Sequence, residues 1–164
     1  MLTQERLREV LDYDPREGLF RWRKAISIRV RGKIGMPAGS PDRHGYPMIG
    51  IDGSRYSAHR LVWFWVYGAW PDGELDHINS DRADYRICNL RLASRSQNCA
   101  NNRKPKNNTS GFKGVTWDRA NKKWAAQLQV KGRHQNLGRF ARIEDASAAY
   151  AQAAKAAFGE FARA

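Results

Sequence analysis

Hydrophobic and polar positions alternate in two short runs near the middle of the chain, and each run predicts a β-strand. The first run is Leu75 to Asn79 and the second is Leu90 to Leu92. A stretch compatible with a helix, from Ser94 to Asn101, follows them, and Ser94 is a suitable N-cap. The order strand, loop, strand and helix predicts a ββα unit at about residues 74–101, in which the end of the first strand can meet a residue on the helix.

The pattern before this unit predicts two helices and a hairpin. Residues 3–12 place hydrophobic side chains on one helical face. Asp52-Gly53 lies between two alternating runs, which is a strong hairpin signal. Residues 59–67 are apolar on almost all sides and end at Gly68, so we expect a buried helix with a glycine cap. The stretch 24–44 is rich in Gly and Pro and is expected to be a long loop.

A second set of alternating runs lies at residues 111–164. Hydrophobic side chains from Trp124 to Val130 fall on one face of a predicted strand, which has a shorter strand before it and another, Gln135 to Phe140, after it. An alanine-rich helix is predicted from Ile143 to Phe158. These elements predict a three-stranded antiparallel sheet packed on one helix, with a polar and basic face left free. The predicted fold class of the whole chain is α+β.

Composition divides the chain into three parts. Residues 102–110 are polar and basic and contain Pro105, as linkers do. We therefore predict a core at residues 1–101, whose N-terminal part extends the ββα unit, a basic linker at 102–110 and a second domain at 111–164.

Positive charge is concentrated at the C-terminal end. The chain has a net charge of +13 and a pI near 10.3. Residues 59–101 hold five basic and five acidic side chains, whereas residues 102–164 hold thirteen and four. A charge this large indicates a polyanionic partner. Its position predicts that the C-terminal part grips that partner while the neutral part carries the chemistry.

The two cysteines, Cys88 and Cys99, form no Cys-x-x-Cys pair, so no structural zinc is expected. Buried free thiols are predicted instead. The longest apolar run, Leu61 to Tyr67, is far shorter than the ~20 residues that a membrane span needs. The N-terminus has the pattern of a charged amphipathic helix rather than a signal peptide. A soluble cytoplasmic protein with no membrane partner is the expectation.

Asp76, His77, Asn89 and Asn98 are the candidate catalytic residues of the ββα unit. An Asp and an Asn oxygen can share one hard divalent cation, Mg²⁺ or Mn²⁺, and leave its other positions to water and phosphate oxygens. A neutral histidine beside them can take a proton from water near neutral pH. Asn89 can brace the structure or hydrogen-bond the surroundings of the second ring nitrogen.

This segment resembles the HNH nucleases, specifically the homing-endonuclease-like branch that is common in phages and mobile introns. The resemblance implies metal-dependent cleavage of DNA, with Asp76 and Asn98 as metal ligands and His77 as the general base. It gives Asn89 a structural role. The matching positions are Ala58 to Leu61, Asp76 to Asn79, Asp81, Arg82, Asp84, Arg86, Asn89 to Arg91 and Asn98.

Two positions depart from the pattern of that family, and one matching position is ambiguous. Tyr85 stands where the family usually has Asn, and Ser80 where it often has Gly. Both departures concern the shape of the loop rather than a ligand. His59 matches a recurrent family position, and we expect it to be structural rather than catalytic.

The second domain resembles the ethylene-response-factor (apetala-type) DNA-binding domain over about residues 111–161. The matching positions are Gly114-Val115, Trp124 to Ala126, Leu137-Gly138, Phe140, Glu144 to Ala146, Ala149-Tyr150, Ala153-Ala154 and Gly159. The resemblance implies that the free sheet face enters the major groove of double-stranded DNA. The predicted contacts on this face are Lys113, Thr116, Arg119, Gln127, Gln129, His134 and Asn136, and those of the linker are Arg103, Lys104 and Lys106.

Three functions fit these patterns. The first is a metal-dependent DNA endonuclease, acting as a homing or phage nicking enzyme. The second is a non-catalytic DNA-binding regulator that keeps the nuclease fold as a scaffold, and the third is an RNA-binding protein, which the sheet face favours least. One set of candidate catalytic residues and no heptad seam predict a monomer, while a dimer assembled on DNA stays open.

Overall fold

The computed structural model describes residues 1–163, which form four α-helices and several small sheets. They divide into two compact units, Met1–Leu92 and the residues from Ala93 onward. The mixed α and β content agrees with the predicted fold class. The predicted arrangement as a ββα metal core stays a prediction.

The first unit begins with a helix and a hairpin and ends with a two-stranded sheet. Its sheets have the orders β1-β2, β3-β4-β5 and β6-β7. The first two of these are antiparallel. The elements are α1 Gln4–Val10, β1 Leu11–Asp14, β2 Leu19–Trp22, β3 Ser40–Pro41, β4 Pro47–Ile51, β5 Ser54–Ser57, α2 Ala58–Tyr67, β6 Glu74–His77 and β7 Leu90–Ala93.

The core of the first unit forms where α1 and α2 pack with the small sheets. Leu7, Phe20, Ile49 and Leu61 are fully buried there. Burial of this apolar surface is the main favourable term in folding the unit. The buried helix that was expected at residues 59–67 is confirmed as α2, and Gly68 ends it in the left-handed region with φ +71°.

Two local predictions have opposite outcomes. The Asp52-Gly53 turn is confirmed: both residues have positive φ, +48° and +80°, which gives a two-residue turn that matches the twist of its strands. The helix predicted at residues 3–12 is too long, because α1 ends at Val10. Leu11 instead starts β1 and pairs with Trp22 across the sheet.

The second unit is a three-stranded antiparallel sheet in the order β10-β9-β8, with α4 packed on one face. Leu128, Tyr150 and Phe158 form one part of its core, and Val115 and Ala126 lie in another. The elements are α3 Arg95–Asn101, β8 Val115–Asp118, β9 Lys123–Val130, β10 Arg133–Phe140 and α4 Ile143–Phe158.

Helix α3 belongs to the second unit, so the observed boundary differs from the one predicted at residue 101. Ala93 and Ala100 pack in the same cluster as Tyr150 and Phe158. The Lys113 ammonium also donates to the carbonyl oxygens of Ala100 and Asn102, which satisfies the end of the helix. The linker composition of residues 102–110 gave no sign of these contacts.

Gly114 lets β8 approach α4. Its φ is +69°, and a Cβ at this position would lie 2.2 Å from the Tyr150 ring and 2.6 Å from the Gln127 carbonyl oxygen. The Gln127 amide donates to the Gly114 carbonyl at 2.8 Å. A side chain here would therefore push β8 away from both the helix and β9.

The prediction of buried thiols is wrong. Cys88 and Cys99 are both free and both exposed. Cys88 lies in a short turn whose next residue, Asn89, takes the buried position, and α3 buries Ala100 and Asn101 rather than Cys99.

The longest helix of the described residues is α4, with 16 residues. Residues 1–163 contain no candidate for a transmembrane helix.

Candidate active site

Asp76 and His77 lie at the end of β6 and are almost completely buried. Their exposed fractions are 3% and 6%, and that of Leu75 is 7%. Alternation in the sequence predicted a strand here, and both faces of that strand, β6, are covered. A buried carboxylate and imidazole need partners that compensate for lost hydration, and the first unit supplies them from β7 and α2.

The partner of Asp76 within the first unit is Arg91 on β7. The Arg91 Nε donates to Asp76 Oδ2 at 2.9 Å, and both side chains are largely buried. Arg91 belongs to the Asn-Leu-Arg motif, but the sequence did not reveal which residue it serves. The alternation of β7 was the signal that could have found it, since it sets Arg91 on the opposite face from Leu90 and Leu92.

His77 packs against two aromatic rings. The His59 ring centroid is 5.2 Å away at 70°, and the Tyr46 centroid is 6.2 Å away. Burial lowers the pKa of His77 below 6.5, while the charges of Asp76 and Asp84 oppose that shift. His77 is therefore neutral at physiological pH and able to accept a proton.

His59 is a buried neutral histidine at the start of α2. Burial is the main cause that lowers its pKa to about 4, and His77 and Arg60 add to the effect. Its Nδ1 is buried without a hydrogen-bond partner among the described residues. The ring contacts Tyr46, at 5.5 Å between centroids, and His77. These contacts fit the packing role expected for His59.

We expect His59 to make the first unit sensitive to acid. A histidine whose folded pKa lies below its unfolded value destabilises the fold on protonation, so stability is intact above pH 6.5 and is lost as pH falls towards 4. The shift corresponds to about 3 kcal/mol in the free energy of unfolding. In His59→Phe this loss should disappear, as measured by urea unfolding at neutral and acid pH. An acid limb equally steep in both proteins would contradict the assignment.

Asn89 braces the loop between β6 and β7. Its Oδ1 accepts from the Asn79 amide at 3.0 Å, and its Nδ2 donates to Asn79 Oδ1 and to the Asp84 carbonyl. Its own backbone carbonyl accepts from the Ile78 amide. All these partners lie in the loop, so the Asn89 side chain ties the two ends of that loop together.

The two departures from the family pattern have physical consequences in this loop. Ser80 has φ +59°, in the left-handed region that glycine adopts with less strain. Tyr85 is only 4% exposed and belongs to the core of the first unit. Tyr13 Oη donates to the Tyr85 carbonyl at 3.4 Å. An Asn at position 85 would not supply this apolar anchor.

Asn98 lies on α3, in the second unit. The helix starts as predicted: Ser94 Oγ accepts from the Gln97 amide, and the Gln97 side chain accepts from the Ser94 amide. Asn98 donates its amide to the Ser94 carbonyl at 2.9 Å. Its assignment as a metal ligand stays a prediction from the sequence pattern.

The outer face of the second sheet carries a ladder of polar side chains. Gln127 is opposite Asn136, and Gln129 is opposite His134. All four are exposed, as is Thr116 on β8. Opposite residues of an antiparallel pair share a face, so the structure brings these predicted contacts together.

The other predicted DNA contacts lie elsewhere in the second unit. Arg119 follows β8 in an exposed turn, and Lys113 closes the end of α3 instead of extending the sheet face. Arg103, Lys104 and Lys106 lie in the exposed segment after α3. The sequence placed Lys113 on the sheet because it stands only two residues before Val115.

The donor chemistry of this region fits a hard cation. Within residues 1–163 no group of three His, Cys, Asp or Glu side chains could hold a metal ion. Asp76 offers one carboxylate, which a cation can combine with amide oxygens and water. This is the ligand set that Mg²⁺ accepts, since it keeps several of its waters.

Comparison with known proteins gives a match over this region. Residues 56–100 match a family model described as HNH endonuclease.

These residues are an HNH endonuclease domain.

The domain takes in β6, β7 and α3 as far as Ala100, and hence Asp76, His77, Asn89 and Asn98. The chain is also 35% identical over 80 residues to Protein 3.8 of Escherichia phage T7. That match covers 48% of this chain and 66% of the phage protein, just under two thirds of its length. No solved structure matches the chain. The comparisons give no evidence for an ethylene-response-factor domain at residues 111–164.

Proposed function

We propose that this chain is a metal-dependent endonuclease that hydrolyses phosphodiester bonds in double-stranded DNA. The observation that carries the proposal is the buried Asp76-His77 pair at the end of β6, inside an HNH endonuclease domain. A carboxylate and a neutral imidazole side by side are the groups that such hydrolysis needs from the protein.

His77 acts as the general base in this proposal. Because burial holds its pKa below 6.5, the imidazole is neutral at neutral pH. One of its two nitrogens then carries no proton and can take one from the attacking water. The His59 and Tyr46 rings fix the orientation of the imidazole. Asn89 holds the loop that follows, so the strand end keeps its shape.

Asp76 and Asn98 are the residues that would hold Mg²⁺ or Mn²⁺. When bound, the cation would supply positive charge against the scissile phosphate and the leaving oxygen. Arg91 holds the Asp76 carboxylate in its orientation through the contact at 2.9 Å.

The second unit supplies the grip on DNA. Its outer sheet face is polar, and residues 102–164 carry a net charge of +9 from thirteen basic and four acidic side chains. Gln and Asn can pair with adenine through two hydrogen bonds, so Gln127 and Asn136 are suited to reading base edges. We also propose that this face enters the major groove, as the resemblance to ethylene-response-factor domains implies.

We expect Gln127→Ala together with Asn136→Ala to weaken binding to a duplex selected from a random library by about 1–3 kcal/mol per lost base contact. The dependence on salt should stay unchanged, because neither residue neutralises a phosphate. Arg119→Gln should instead reduce the slope of log affinity against log salt by about 0.9. Fluorescence anisotropy at several salt concentrations measures both quantities. A changed slope in the Gln127 and Asn136 variant would contradict their assignment to base edges alone.

Supercoiled plasmid tests the catalytic proposal. With Mg²⁺ or Mn²⁺ the protein should cut, and EDTA should abolish cutting. Cleavage that persists in EDTA would contradict the metal-dependent mechanism.

The same assay tests the number of strands cut. Each chain carries one Asp76-His77 pair, and we propose that it acts as a monomer, so open circles should accumulate before any linear product. Linear product that forms directly, with first-order dependence on protein, would require a dimer.

One observation favours a second function, a DNA-binding regulator without catalysis. Arg91 already provides a positive charge at the Asp76 carboxylate, which lowers the need for a cation there. Such a protein would bind the plasmid and leave it intact with every divalent metal tested. The plasmid assay therefore decides between the two functions.

A further inference from the structure

A basic cavity of about 710 Å³ lies in the second unit, between the segment after α3 and helix α4. Its size falls in the ~300–1,000 Å³ range of pockets that bind small ligands. The outer sheet face contributes none of its lining residues. The residues that line it include Arg103, Lys104, Lys106, Phe112, Lys113 and Arg163.

The charges around this cavity are all of one sign. Five of its lining residues are cationic, and no carboxylate is among those that the described structure gives it. The Lys104 ammonium donates to the Gly111 carbonyl, and that of Lys113 to two carbonyls, so uncharged oxygens are their partners. Burial and the charge of Arg163 lower the pKa of Lys113 to about 8. The charge of Arg163 thus disfavours the charged form of Lys113, and an anion beside the two would favour it.

Phe112 adds an aromatic ring to the same cavity. Its side chain is 38% exposed. The backbone that carries it is fixed, because the Phe112 carbonyl accepts from Asn108 Nδ2 at 2.8 Å and from Ser110 Oγ at 2.9 Å. Asn108 Oδ1 also accepts from the Gly111 amide at 2.7 Å. Residues 108–112, which span the end of the predicted linker and the start of the predicted second domain, therefore form a hydrogen-bonded loop that places a ring beside cations.

An anion and an aromatic surface together describe a nucleotide. Basic side chains bind its phosphate, and the face of an unpaired base stacks on an aromatic ring. A paired base inside a duplex cannot offer its face to Phe112, because its neighbours cover it. We propose that this cavity binds one unpaired nucleotide of single-stranded DNA, with its phosphate among the cations and its base on Phe112. The site is separate from the cleavage chemistry and goes beyond the proposed function.

The test is binding of a fluorescent, terminally phosphorylated short oligothymidylate to the full chain in EDTA, which keeps cleavage out of the measurement. Phe112→Ala should weaken this binding about 5- to 150-fold, since stacking is worth ~1–3 kcal/mol per base. Phe112→Tyr keeps the ring and should retain the affinity. Affinity for a blunt duplex should be the same in all three proteins.

A matched pair of lysine variants tests the role of the cavity's positive charge. Lys106 lines the cavity and Lys155 does not, although both are exposed lysines of the second unit. Lys106→Gln should weaken oligothymidylate binding more than Lys155→Gln. Equal effects of these two variants would overturn the proposal. So would a Phe112→Ala protein that binds the oligomer as wild type does, or one that loses duplex affinity to the same extent. If Phe112→Ala proves unfolded by circular dichroism, the lysine pair decides alone.

Discussion

His77→Ala is expected to lower the rate of plasmid cleavage by about 10² or more, which is what a positioned general base contributes. Binding to DNA should stay close to that of wild type, because the side chain is 6% exposed and contributes little surface. Steady-state cleavage at saturating divalent metal, together with anisotropy binding in EDTA, measures the two effects separately.

The pH profile makes this test specific. Since the pKa of His77 is lowered, wild-type cleavage should be level near neutral pH and fall as pH drops below 6.5. In His77→Ala the residual rate should lack this acid limb. His44→Ala is a matched control, because His44 belongs to the same unit and is exposed. Full activity in His77→Ala would remove the general base from the mechanism.

Asp76→Asn is expected to abolish detectable cleavage and to destabilise the protein. The substitution removes a carboxylate that serves as the predicted metal ligand and as the buried partner of Arg91. Breaking a buried ion pair from one side costs about 3–5 kcal/mol. Cleavage with Mg²⁺ and with Mn²⁺, and urea unfolding, measure the two losses.

A second substitution separates the two roles of Asp76. In the double variant with Arg91→Met, the buried guanidinium is gone and an apolar side chain takes its place, so most of the lost stability should return. Cleavage should stay absent, because the carboxylate is still missing. A double variant that regains cleavage along with stability would show that Asp76 acts only through Arg91, and the metal-ligand assignment would be wrong.

Local signals predicted most of the elements. Helix α4 has the predicted bounds, and the Asp52-Gly53 turn and the Ser94 cap formed as expected. In each case the signal lies in neighbouring residues: an alanine-rich periodicity, two residues that tolerate positive φ, or a capping box. Strand β1 was missed, because Leu11 is as acceptable in a helix as in a strand and its pairing with Trp22 decides between them.

Part of the candidate site could also be predicted from the sequence. The order and spacing of Asp76, His77 and Asn89 indicated an HNH unit, and the family match at residues 56–100 agrees. The ring of Tyr46 against His77 and the ion pair of Arg91 with Asp76 were not foreseen. Both contacts join residues far apart in the sequence, and only packing brings them together.

The packing of α3 also bears on what a shortened variant would lose. A helix of seven residues has little stability alone, because the cost of nucleation is spread over too few hydrogen bonds. The cluster that holds α3 in place includes Phe158 and Phe161. A variant cut before α4 would thus leave the helix that carries Asn98 without its tertiary support.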